Sequence, residues 1–119
     1  MPITAHVLVG LVALLHAYFL VLEMFLWTTP FGQKTFKRTK AQQEETAVLA
    51  KNQGLYNGFL SAGLVWSFMA GPALAQPLRF FFLGCVVVAG VYGAVTVDKK
   101  IFAIQAAPAL LALAMVALS

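Results

Sequence analysis

Charge is what this chain has least of. Eight Lys or Arg and four Asp or Glu make up 10% of its 119 residues, against 61% hydrophobic ones. Soluble domains carry about 25% charged residues, so the composition argues against a soluble domain and for an integral membrane protein. Cysteine is nearly absent too. Cys85 alone excludes an internal disulfide and a multi-cysteine metal site. Its setting, FFFLGCVVVAG, predicts an inert buried thiol. With two histidines, His6 and His16, and few acids, no metal site is expected, and no haem motif or other cofactor signature is present. Phosphate loops, dinucleotide fingerprints and nucleophile triads are missing. The N-terminus MPITAH has no Lys or Arg, and the apolar run after it is too long for a signal-peptide core, so no cleavable signal is expected.

What is present is four long apolar runs, roughly 3–28, 54–70, 78–97 and 101–118, which make 1–119 a single membrane domain. About 20 apolar residues cross a bilayer, and runs this uniform satisfy their backbone groups as helices rather than barrel strands. The expected fold is all-α, a four-helix transmembrane bundle. Pro30 and Gly32 are read as ending the first helix, and Gly71, Pro72 and Pro77 as punctuating the second junction. Asp98-Lys99-Lys100 leaves so tight a third turn that spans three and four should be antiparallel neighbours.

The basic residues lie between spans. Lys34, Lys37, Arg38, Lys40, Lys51, Lys99 and Lys100 fall on one side, and only Arg79 flanks the other. The positive-inside rule places loops one and three in the cytoplasm and both termini outside, in a multi-pass inner-membrane protein. The net charge of +4 therefore needs no nucleic acid as partner. The partner is the lipid bilayer. Helix two is expected to start near Thr39 or Ala41, as a cytoplasmic extension, with Thr39 and Gln42 forming a capping box.

One carboxylate breaks the pattern. Glu23 is the only charged side chain between Ile3 and Thr28, and a carboxylate there costs about 2–3 kcal/mol on insertion scales. It sits about 8 Å from the cytoplasmic end of helix one. His16 is two turns away on the same face. On the deduced orientation, Asn52, Gln53, Tyr56 and Asn57 (helix two), Tyr92 and Thr96 (helix three) and Gln105 (helix four) share that cytoplasmic half, while the outer half is almost purely apolar. A polar pocket is expected, with Glu23, His16, Gln53, Tyr56, Asn57, Tyr92, Thr96 and Gln105 as its ligand-binding residues. Small residues recur at Gly54, Gly58 and Ala62 and at Gly90 and Ala94. They predict close packing of helices two and three, and a homo-oligomer is compatible with such faces.

Four segments carry a resemblance: HAYFLVLEMFLW (His16–Trp27), NQGLYNGFLSAGLVW (Asn52–Trp66), AGVYGAVT (Ala89–Thr96) and QAAPALLAL (Gln105–Leu113). Together they resemble a family of small bacterial four-helix membrane proteins of unknown function. The likeness covers nearly the whole chain and implies a four-span inner-membrane protein, with no activity to carry over. Small multidrug transporters are similar in size and in their first-helix carboxylate. Membrane-associated glutathione-handling enzymes are similar in span number and in a polar, Asn-containing start to helix two, but their Arg–Asn–Glu pattern is absent here.

Three functions fit these residues. The first is a protein that binds or transports a small molecule or proton through Glu23. The second is a membrane enzyme acting on a lipophilic substrate, with His16 and Glu23 as acid–base pair. The third is a structural or accessory subunit, in which Glu23 is only a hydrogen-bond partner.

Overall fold

The computed structural model of the protein describes residues 2–119. It is all-helical: α1 (Ile3–Met24), α2 (Pro30–Phe36), α3 (Lys40–Met69), α4 (Pro72–Thr96) and α5 (Ala107–Ala117), with a π-helical segment, Phe102–Ala106, leading into α5. No strand occurs among the described residues. Two helices, α1 and α4, are long and apolar enough to cross a membrane, and Phe102–Ala117 is a shorter apolar helix.

Local chemistry accounts for most boundaries, and several depart from expectation. The reciprocal capping box at the start of α3 is as expected. The Thr39 backbone N–H donates to Gln42 Oε1 at 3.0 Å, and the Gln42 N–H donates to Thr39 Oγ1 at 3.2 Å. Pro30, by contrast, does not end the first helix. α1 stops at Met24, and Pro30 opens α2, its missing N–H costing nothing in a first turn. Thr29 caps that turn by accepting from the Gly32 N–H at 3.3 Å. Pro77 does not break the chain either. Gly71 is the N-cap of α4, Pro72 its first residue, and the helix runs on through Pro77. Pro77 falls close to the N-terminus, where it removes a single bond of the ladder. Helix four was expected to be continuous from Ile101. Pro108 cannot donate to the carbonyl four residues back, and the helix widens just before it. The Ala107 N–H reaches Phe102 O, five residues back.

The chain divides into two compact units: the segment ending at Leu14 together with Leu60–Ser119, and Leu15–Phe59. The first has an apolar core. Ala5, Val9, Val12 and Ala13 of α1, Leu64 of α3, Leu83 and Val86 of α4, and Ala109, Ala112 and Val116 of α5 are all buried. Along α1, α4 and α5 these positions recur at three- and four-residue spacing, one stripe per helix. α4 packs against α5 and the π-helical segment, as the tight turn required, and the Lys100 N–H closes that turn on Asp98 Oδ1 at 2.9 Å.

Small residues permit this contact, and the expected one between helices two and three is made at Gly63 of α3, where an added Cβ would run into the Phe82 ring of α4. Gly54, Gly58, Gly90 and Gly93 meet other partners. A Cβ on Gly90 would lie 2.7 Å from the Ala106 backbone nitrogen, and one on Gly93 3.0 Å from Ile101 Cγ2. Gly54 and Gly58 of α3 instead face Met24, Glu23 and Leu20 of α1. The short turn folds the last helix back onto Gly90 and Gly93, so these glycines are occupied by their sequence neighbour. Cys85 is half-buried rather than buried. It lines an open apolar face of α4 with Phe80, Phe81, Gly84, Val88, Ala89 and Tyr92.

Candidate functional site

The site is built in the second unit, where the end of α1 meets the first five turns of α3. Its base is a polar clasp around α2. The Trp27 indole Nε1–H donates to Thr46 Oγ1 at 3.1 Å, and its ring lies 4.6 Å from that of Phe36. The buried Gln43 side chain donates through Nε2 to the Trp27 carbonyl at 3.0 Å. These contacts tie the turn after α1 to the start of α3 and set the register of the two helices.

Rather more than two turns further along, α3 brings Gly54 against α1. A Cβ there would stand 2.7 Å from Met24 Cγ, 3.1 Å from Glu23 Cβ and 3.2 Å from the Leu20 carbonyl oxygen. Glycine lets the two backbones approach until Asn57, three residues on, reaches the carboxylate. Asn57 Nδ2 donates to Glu23 Oε1 at 2.6 Å. Glu23 is 6% exposed and Asn57 7%.

The other expected site residues fall as follows. His16 is fully buried in this unit, edge-on to the Phe19 ring at 5.2 Å. Gln53 and Tyr56 are exposed side chains of α3, Tyr56 beside Phe59 at 6.0 Å. Tyr92, Thr96 and Gln105 belong to the first unit. Tyr92 and Thr96 are exposed, with the Thr96 hydroxyl donating to the Tyr92 carbonyl at 2.7 Å, and Gln105 is half-buried within the π-helical segment.

A second polar cluster went unforeseen. Arg79 was expected to flank a loop in an otherwise apolar half. Because α4 continues through Pro77, it lies inside the helix and is only 2% exposed. Its Nε–H donates to Ser67 Oγ at 2.9 Å, Nη2 meets His6 Nδ1 at 3.3 Å, and the guanidinium lies 4.5 Å from the centre of the Phe68 ring. Arg has no acceptor, so the contact with His6 assigns the lone pair to Nδ1. One clue was available: topology asked for no cation on that side of the chain.

The arrangement holds a carboxylate and a carboxamide in a sheltered, largely apolar setting, able to exchange a proton or accept a donor. No group of three or more His, Cys, Asp or Glu that could hold a metal occurs among the described residues.

Comparison with known proteins gives a family. A model described as protein of unknown function (DUF1304) matches residues 10–117. The chain is also similar to an uncharacterised protein, YpaA, of Lactococcus lactis subsp. lactis (strain IL1403), 35% identical over 115 residues that cover 95% of this chain and 96% of that one. No solved structure matches it. With nearly its whole length matched in both comparisons, the chain belongs to the DUF1304 family of proteins of unknown function.

Proposed function

We propose that this chain is a multi-pass inner-membrane protein in which the Glu23–Asn57 pair binds, or passes, a small molecule or proton. Exposure supports the membrane reading. The most apolar stretches of α1 and α4 are only 33% and 28% buried within the protein. The core helix of a soluble protein would be mostly covered, whereas a lipid-facing helix leaves most of its apolar side chains outward. On this reading α1, the apolar part of α3, α4 and Phe102–Ala117 are four spans, with the basic loops in the cytoplasm.

The observation that carries the functional reading is the 2.6 Å bond between two buried side chains, Asn57 and Glu23. Burial favours a role beyond structure. A charged side chain costs about 2.5–3.5 kcal/mol at the centre of a span and less toward its ends, where Glu23 lies one residue before the last of α1, and an interhelical hydrogen bond in a membrane returns about 0.6 on average. The single hydrogen bond does little to offset the burial of the carboxylate. Oε1 is engaged by Asn57, which leaves Oε2 for a proton or a ligand donor. His16, about 10 Å back along the same face of α1, is a second proton-capable group.

Proteoliposomes loaded with a pH-sensitive dye test this directly. With the proton as probe, the wild-type protein should dissipate an imposed pH gradient faster than empty vesicles, and Glu23→Gln should not. In parallel, mass spectrometry of protein extracted in mild detergent should find a small molecule that Glu23→Gln no longer retains. If Glu23→Gln matches the wild type in both assays, the reading is wrong.

A further inference from the structure

The second unit carries an exposed face that the Glu23 site does not use. On α2, Phe31, Lys34 and Thr35 recur at spacings of three and four and are all exposed, Phe31 by 52%. The opposite side turns inward, with Gly32 buried and Phe36 beside Trp27. Lys37 and Arg38 follow at once, both exposed. The ion pair found among the described residues is Lys40–Glu44, at 3.9 Å within α3. None is formed there by Lys34, Lys37 or Arg38. Lys37 also ends α2 at φ 53, the only non-glycine residue at positive φ among those described. Glycine holds that conformation without strain, yet the chain places a cation there.

A short helix that opens six residues past the end of α1, carries an outward aromatic ring and one unneutralised cation, and is followed at once by two more has the chemistry of a membrane-surface element. The ring enters the boundary of the acyl chains while the cations stay among headgroups. Basic residues next to a span attract anionic lipid. We propose that Phe31, Lys34, Lys37 and Arg38 form a binding surface for the phosphate-bearing headgroups of anionic phospholipids. This rests on the membrane reading above but not on the role of Glu23.

Trp27 is a built-in reporter, because it lies against Phe36 at the inner side of α2. Trp66→Phe leaves it the sole tryptophan. Such protein is reconstituted in phosphatidylcholine vesicles containing either brominated phosphatidylglycerol or brominated phosphatidylcholine at the same fraction. Trp27 should be quenched more strongly by the anionic lipid. Lys34→Gln, Lys37→Gln and Arg38→Gln should each lower its relative association roughly fivefold, and the triple variant should show no preference. The preference should persist in Lys99→Gln/Lys100→Gln and fall at high salt in the unmodified protein, a readout independent of how the variants fold.

Equal quenching by both lipids, or a preference retained in the triple variant, overturns the proposal while leaving the proton-flux result untouched. Displacement of the lipid by soluble glycerol phosphate at equal concentration would also overturn it, since the site would then read free phosphate. Protein that does not enter vesicles at all removes both this proposal and the membrane reading.

Discussion

Two glycine-to-alanine substitutions of identical chemistry should move stability in opposite directions. In a helix interior, alanine is favoured over glycine by about 0.8–1.0 kcal/mol. At Gly84 nothing lies within 4 Å of an added Cβ, so Gly84→Ala should gain most of that amount. At Gly54 the same methyl lies 2.7 Å from Met24 Cγ, 3.1 Å from Glu23 Cβ and 3.2 Å from the Leu20 carbonyl oxygen. Met24 can swing aside. The other two atoms are fixed to the α1 backbone, so α1 must withdraw. Overpacking of this kind costs about 1–3 kcal/mol, which outweighs the propensity gain and leaves Gly54→Ala destabilised by about 1 kcal/mol. The gap between the two variants should therefore be about 2 kcal/mol. Equilibrium unfolding in mixed micelles titrated with sodium dodecyl sulfate, followed by helical circular dichroism, measures it. Because Glu23 moves with α1, Gly54→Ala should also weaken proton flux, whereas Gly84→Ala should leave it intact. If the two variants unfold within 0.5 kcal/mol of each other, α3 does not approach α1 at Gly54 as described, and the argument for how Asn57 reaches Glu23 fails.

Two further outcomes follow from other parts of the chain. Thr39→Ala removes the hydroxyl that accepts from Gln42 N–H and should cost about 1 kcal/mol, seen in hydrogen exchange as earlier fraying of the first turn of α3 only. Arg79→Lys keeps the charge but loses the fork that reaches Ser67 and His6 while lying over Phe68. It should lower stability by about 1–3 kcal/mol in the same micelle titration, and a variant as stable as the wild type would show that the guanidinium geometry contributes nothing.

How much of this was legible beforehand depends on the range of the interaction. The capping box of α3 needs only Thr39 and Gln42, three residues apart, and it was readable as such. The antiparallel return after Asp98 is a consequence of turn length, and it too was readable. Proline was misread at Pro30 and Pro77 because its effect depends on its place in the hydrogen-bond ladder. In a first turn it starts a helix, and a turn later it removes one bond and no more. Among the candidate site residues, Glu23 stood out because an acid in an apolar run is costly wherever it points. Asn57 was one of several polar residues near the start of helix two, and nothing in the letters separated it from Gln53 or Tyr56.

Composition and hydropathy alone determined that the chain is helical and apolar, where its long runs lie, and that Glu23 is anomalous, because those properties are sums over local residues. Only the tertiary structure decided that Asn57, rather than its neighbours, meets Glu23. The close approach at Gly54 turns one face of α3 toward α1 and leaves Gln53 and Tyr56 outside. It also decided that Arg79 is a buried hub with His6 and Ser67, since a side chain's burial is set by what folds over it, and those partners lie 73 and 12 residues away.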